Sequence, residues 1–141
     1  MKKTLIGLIA LLLFITGCNP NKEYSLKSDN YNIEKIAVTY TKPDNTNVKI
    51  SVDLINDVKC VTEYTDNTHI TSNYGLVNKT DLNRFLKEDV VPEMLDSEYK
   101  DSRVGTTIWS IKVTTNNETI CVKGGYDDKL PDFGENLINL L

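Results

Sequence analysis

The sequence predicts an α+β fold, an antiparallel sheet of about six strands in the order β-β-β-β-α-β-β-α with two helices packed on one face. Three observations carry this. Apolar and polar residues alternate through several runs between residues 32 and 123, the period-2 pattern of a half-buried strand. Short turn signals separate those runs, and strands joined by short turns pair antiparallel. Two other segments carry apolar residues at helical spacing and need a surface to cover, which the apolar face of a sheet supplies.

In chain order, Ile36, Val38 and Tyr40 alternate with Ala37, Thr39 and Thr41, and Val48, Ile50, Val52 and Leu54 alternate with Lys49, Ser51 and Asp53. Lys42-Pro43-Asp44-Asn45 between them is a turn signal, so the two runs read as a hairpin. Asn56-Asp57 ends the second run. Val58, Cys60, Thr62 and Tyr64 make a third strand, with Val58, Cys60 and Tyr64 assigned to the inner face. Asp66-Asn67 marks a further turn before a fourth strand at about His69 to Val77.

Thr80 then reads as an N-cap, with Asp81 favourable at the positive end of a helix. Leu82, Phe85, Leu86 and Val90 share one helical face. Pro92 cannot continue the backbone bonding and restricts Val91 before it. The helix is therefore expected to end near Asp89 or Val90, with a polar loop from Glu93 to Asp101.

Trp109, Ile111 and Val113 alternate with Ser110, Lys112 and Thr114. Asn116-Asn117 is a two-residue hairpin turn, because asparagine tolerates positive φ. That register sets Val113 opposite Ile120 and Ile111 opposite Val122, turning both apolar sets to one face. Asp132 and Glu135 have capping-box spacing, and Phe133, Leu137, Leu140 and Leu141 form the stripe of a C-terminal helix.

The N-terminus reads differently. Lys2 and Lys3 give a positive start, and Leu5 to Ile15 form an apolar run of 11 residues. A spanning helix needs about 20 such residues, so the run fits the apolar region of a secretory signal. It ends Ile15-Thr16-Gly17-Cys18. The aliphatic residue suits an apolar peptidase subsite, the two small residues let the peptidase approach the backbone, and the thiol is a nucleophile for thioether formation.

This box resembles the lipobox of bacterial lipoproteins, over the first 18 residues. The resemblance implies a signal peptide at 1–17 that is removed, acyl chains such as palmitate on Cys18, and attachment to the extracytoplasmic face of a cell membrane. Two or more acyl chains hold stably where one holds weakly. Residues 18–31 then form a lipidated tether, polar and interrupted by Pro20, and 32–141 a single domain. The pattern Trp109-x-Ile111-x-Val113, the Asn turn, Gly124-Gly125-Tyr126, Pro131-x-Phe133 and a Leu-rich end is similar to the C-terminal third of small uncharacterised lipoproteins of low-GC Gram-positive bacteria. That second resemblance implies fold and location and carries no activity.

Composition narrows the function classes. The chain of 141 residues is 40% hydrophobic and 26% charged, as in an ordinary globular protein. Its net charge is -4; without Lys2 and Lys3 the 16 basic residues fall to 14 against 20 acidic ones, or -6. A diffuse negative charge disfavours nucleic acid and offers no polybasic membrane patch.

Few side chains suggest chemistry. With Cys18 lipidated, Cys60 and Cys121 remain as a pair that export would let oxidise. The assigned register puts them on opposite sheet faces, against disulfide geometry, so whether they pair depends on that register and stays open in the sequence. His69, the sole histidine, has no second imidazole for a metal and reads as a surface or edge-strand residue. Asp127, Asp128, Asp132 and Glu135 are the densest acidic cluster. Their spacing does not match an EF-hand loop, so a solvated loop with a helix cap is favoured. Among the aromatics Tyr64, Tyr74, Tyr99, Trp109 and Tyr126, Trp109 reads as core, and Tyr99 and Tyr126 are the better contact candidates. Phosphate loops, nucleophile elbows and zinc signatures are absent from the sequence.

The expectation is thus a noncatalytic extracytoplasmic binding or interaction module without a cofactor, anchored through Cys18 and taking a protein or peptide as ligand. Three other readings stand beside it: an exclusion or immunity factor against phage, plasmid or toxin, a purely structural envelope role, and a small envelope-acting enzyme. The last requires carboxylates such as Asp127 or Asp132 to converge in a cleft.

Overall fold

In the computed structural model of the chain, the described residues are 30–65, 68–96, 107–125 and 129–141, with backbone alone at 68–70. The predicted element order is present. Strands β1 (Ile33–Thr41), β2 (Asn47–Asp53), β3 (Val58–Thr65) and β4 (Thr68–Leu76) precede helix α1 (Lys79–Phe85), a π-helical turn (Leu86–Val90) and helix α2 (Val91–Asp96). Strands β5 (Trp109–Thr115) and β6 (Thr119–Gly124) and helix α3 (Asp132–Leu140) follow. The strands form one antiparallel sheet in the order β4-β3-β2-β1-β5-β6. The meander β1 to β4 runs out to one edge, and the chain returns through α1 and α2 to place β5 on β1.

The pleat sends one set of side chains inward. Ile36 and Val38 on β1, Val48, Ile50 and Val52 on β2, Trp109, Ile111 and Val113 on β5, and Ile120 and Val122 on β6 are all at most 5% exposed. Leu82, Leu86, Val90, Val91, Met94 and Leu137 belong to the same core cluster from the helical layer. Each such side chain contributes about 1.5–3 kcal/mol by leaving water, so this layer is the main stabilising feature. Tyr31 joins the core as well, so the fold begins just before residue 32. At Gly134 a Cβ would stand 2.9 Å from Ile111 Cδ1, and at Gly124 one would stand 2.4 Å from the Trp109 indole. At Gly124 the rigid indole leaves no room for a side chain, while at Gly134 a side chain would have to displace the ends of Ile111 and Leu130.

The β5–β6 hairpin has the predicted register, Val113 opposite Ile120 and Ile111 opposite Val122. Its turn works differently from the expectation. Neither Asn116 nor Asn117 has positive φ; among the described non-glycine residues only Asn45 (65°) and Asp57 (56°) do. Instead the Thr115 hydroxyl accepts from the amides of Asn117 (3.2 Å) and Glu118 (3.0 Å) and donates to the Glu118 carbonyl (2.9 Å).

Several local expectations are corrected. Asn78 rather than Thr80 caps α1: its side chain accepts from the Asp81 amide, and its Nδ2 donates to the Asp81 carboxylate at 3.0 Å. The helical path continues past Val90, because the π turn absorbs Pro92. In α-geometry the proline ring would press on the carbonyl four residues back; here the Val91 amide donates to the Leu86 carbonyl, five residues back. The extra residue also lets Val90 and Val91 both reach the core, with Met94 one turn on. α3 starts at Pro131 with no side-chain cap, the amides of Gly134 and Glu135 donating to the Pro131 carbonyl. Asp132 and Glu135 therefore favour the helix start as charges near its positive end, not as a capping box. Leu140 is 48% exposed, so the stripe of α3 is Phe133, Leu137 and Leu141.

Candidate functional site

The inner face of β3 is Lys59, Val61 and Glu63, which stand opposite Val52, Ile50 and Val48. Val58, Cys60, Thr62 and Tyr64 therefore face outward, reversing the assignment made from alternation alone. Lys112 stands opposite Cys121 and Ala37, and Ser51 opposite Ala37 and Cys60. Both cysteines thus occupy the outer face, in one cross-strand row. They are four strand spacings apart, roughly 19 Å at about 4.8 Å each. Distance, not facing, keeps them apart: Cys60 is a free, half-buried thiol, whereas Cys121 is buried and disulfide-bonded, though not to Cys60.

The remaining candidates disperse. Trp109 is core, as expected. Tyr64 and Tyr74 lie on the outer face, where the Tyr74 hydroxyl is hydrogen-bonded to Cys60 and its pKa is raised by that bond. His69 stands on β4 opposite Tyr64. Cys18, Tyr99, Tyr126, Asp127 and Asp128 lie outside the described residues.

Two clefts open on the helical side. One, of about 530 Å³, separates the α1–α2 path from the start of α3. Phe85, Leu130 and Phe133 supply its apolar lining, and Asp89, Glu93 and Asp132 stand around it. Asp132 was a candidate from sequence; Asp89 and Glu93 were not, because only the continued helix past Pro92 brings them to it. All three are exposed, and among the described residues no three His, Cys, Asp or Glu side chains are placed to hold a metal ion. Glu135 does not line the cleft but stands 4.0 Å from Lys129, which does.

The second cleft, about 510 Å³, runs between the start of β1, the β2–β3 turn and α1. Ile33, Leu54 and Ile55 give it an apolar side, and Lys79, Arg84 and Glu88 a charged one. The Asn83 side-chain oxygen is buried there without a hydrogen-bond partner, so the cleft holds an unused acceptor. Lys87 sits 5.2 Å from the centroid of the Tyr31 ring, a cation–π contact that fixes the cleft's end.

Electrostatic shifts concentrate in turns. Hydrogen bonds from the Asn56 side chain and amide hold the Asp53 carboxyl below its ordinary value, with the Ile55 amide adding to them. Asp44 is lowered in the same way by the Thr46 amide. The Lys42 ammonium is raised chiefly by its 2.7 Å hydrogen bond to Glu63. These groups order loops; none points into either cleft.

Among the described residues no helix is long and apolar enough to cross a membrane. No protein-family model matches the chain, and neither a curated protein nor a solved structure matches it.

Proposed function

We propose that the protein is a lipoprotein anchored through Cys18 to the extracytoplasmic face of a bacterial membrane, and that its folded part is a noncatalytic binding or interaction module. The observation that carries this reading is the N-terminal sequence: Lys2-Lys3, an apolar run of 11 residues, and Ile15-Thr16-Gly17-Cys18. Charge, run length and box agree, and each has a physical reason. A polar stretch then separates Cys18 from the fold, as a spacer between bilayer and domain would. The module half is supported by two clefts of mixed apolar and charged lining and by a sheet face free of described helices. A protein or peptide segment is the ligand class such shallow, polar-rimmed clefts suit.

The test is expression of the precursor in a bacterial host beside a Cys18→Ala variant. The wild-type chain is expected in the membrane fraction, cut before Cys18 and with acyl mass on that residue. The variant is expected to stay uncut or to lose the acyl mass. An unacylated Cys18 in the wild-type product, whether as a thiol or joined to Cys121, overturns the reading.

A further inference from the structure

β4 is the end strand of the sheet, and no described strand lies beyond it. The ladder decides which of its main-chain groups face that edge. The Val77 amide donates to the Asp57 carbonyl at 3.3 Å, so Asp57 and Val77 are a hydrogen-bonded pair, and in an antiparallel ladder such pairs recur at every second residue. Lys59↔Gly75, Val61↔Asn73 and Glu63↔Thr71 continue that series, and there β4 turns its N–H and C=O groups to β3. Ser72, Tyr74 and Leu76, the residues between, turn theirs to the edge. Tyr74 and Leu76 are 76% and 85% exposed, so the chain leaves both uncovered.

The chemistry of this edge favours contact. β4, Thr68–Leu76, contains no Lys, Arg, Asp, Glu or Pro, the residues with which edge strands prevent pairing with another chain. The opposite edge strand, β6, has Lys123. The exposed large apolar side chains also gather here. Ile55, Val58, Tyr74 and Leu76 belong to the β3–β4 hairpin or the turn before it, with Leu140 the exception among the described residues. Leu76 stands opposite Val58 and Tyr74 opposite Cys60 on the outer face. The same two residues thus offer open main-chain groups and apolar side chains together.

We infer that β4 pairs antiparallel with β4 of a second copy of this chain, extending the sheet across a two-fold axis. Charge selects the occupant. Two chains of net charge -4 repel, so they meet through a neutral element, and β4 is the described strand without Lys, Arg, Asp or Glu. An edge facing its own copy is also self-complementary, as a two-fold contact requires. The axis that sets Tyr74 opposite Leu76 of the second copy lets each such pair exchange both main-chain bonds. It also lays the two apolar side chains next to each other. Gly75 then stands at the axis, where the two main chains come closest and no side chain intervenes. Neither cleft is lined by a β4 residue, so pairing leaves both open. A strand edge buries less than the roughly 1,200 Å² of a standard interface, which makes the dimer weak and concentration-dependent. The pairing is independent of how Cys18 is processed.

Sedimentation velocity and residue-resolved hydrogen exchange by NMR test this on the chain from residue 18, which holds all the described residues. The range from about 10 µM to about 1 mM brackets the affinity of so small an interface. At the upper end the Tyr74 and Leu76 amides are expected to exchange at least about threefold more slowly, as a mostly dimeric population requires. Asn73 and Gly75, already bonded to β3, should keep their rates. Tyr74→Pro removes an N–H that β3 does not use, so it should keep the fold and abolish association. Should that variant not fold, Leu76→Lys, a change of one exposed side chain, must lower association instead. A non-reducing gel reads cross-linking through thiols. A chain that stays monomeric across the range, a dimer indifferent to both substitutions, or one held by a disulfide overturns the inference.

Discussion

The two outer hairpins of the sheet are built from similarly alternating sequence and have opposite fates. In β5 every second residue, Trp109, Ile111, Val113 and Thr115, is buried, and β6 adds Ile120 and Val122. In β3 no residue is fully buried, and β4 leaves Tyr74 76% and Leu76 85% exposed. Strand propensity does not explain this, since Val58, Cys60, Thr62 and Tyr64 alternate as regularly as the residues of β5. Coverage does: α2 lies against β6 and α3 presses Gly134 onto Ile111. At β3 the inner row is Lys59, Val61 and Glu63, and the Lys59 ammonium donates to the C-terminal Leu141 carbonyl. One hairpin is core; the other is a wing whose inner face is half polar.

The largest expected effect breaks the core side of this comparison. Ile111 is 0% exposed and lies beneath Gly134, where backbone cannot collapse into a void. Ile111→Ala should lose about 2–5 kcal/mol, the range for truncating a fully buried aliphatic. Val61→Ala, its counterpart on the wing, should lose well under half as much because Val61 is only partly buried. Urea unfolding of both variants measures the two values, and equal losses would mean that β3 is as much a part of the core as β5.

That contrast also marks what was legible beforehand. Alternation located β1, β2, β5 and β6, and the cross-strand agreement of Val113 with Ile120 set a register that the structure has. For β3 the same alternation gave the period and the wrong phase. A one-residue choice of face moves every side chain, and Val58-Cys60-Tyr64 looked more apolar than Lys59-Val61-Glu63. Only pairing with Val48, Ile50 and Val52 decides it. Pro92 misled in a related way: its local chemistry does end α-geometry, but one π turn costs less than exposing Val91 and Met94. The cleft around Asp89, Glu93 and Asp132 was illegible for that reason.

A middle-sized effect is expected at the turn of the buried hairpin. Since neither asparagine adopts positive φ, the Thr115 hydroxyl holds the loop by bonding the Asn117 and Glu118 amides. Thr115 is 5% exposed. Thr115→Val keeps the shape and removes those bonds, and should lose about 1–2 kcal/mol. Hydrogen exchange at Asn117 and Glu118 should quicken while that of Val113 and Ile120 holds; uniform quickening would instead mean that the whole hairpin depends on the turn.

The smallest effect belongs to the wing. Leu76 pairs with Val58 on the outer face and touches little else, being 85% exposed. Leu76→Lys should change the urea midpoint by no more than about 0.5 kcal/mol of stability. Its consequence lies elsewhere. β4, Thr68 to Leu76, contains no Lys, Arg, Asp, Glu or Pro, the devices by which edge strands resist pairing with another chain. The lysine should therefore lower concentration-dependent association in sedimentation velocity while leaving stability in place. A marked fall in stability would show that Leu76 is held in the fold, and the division between a buried hairpin and an open wing would have to be redrawn.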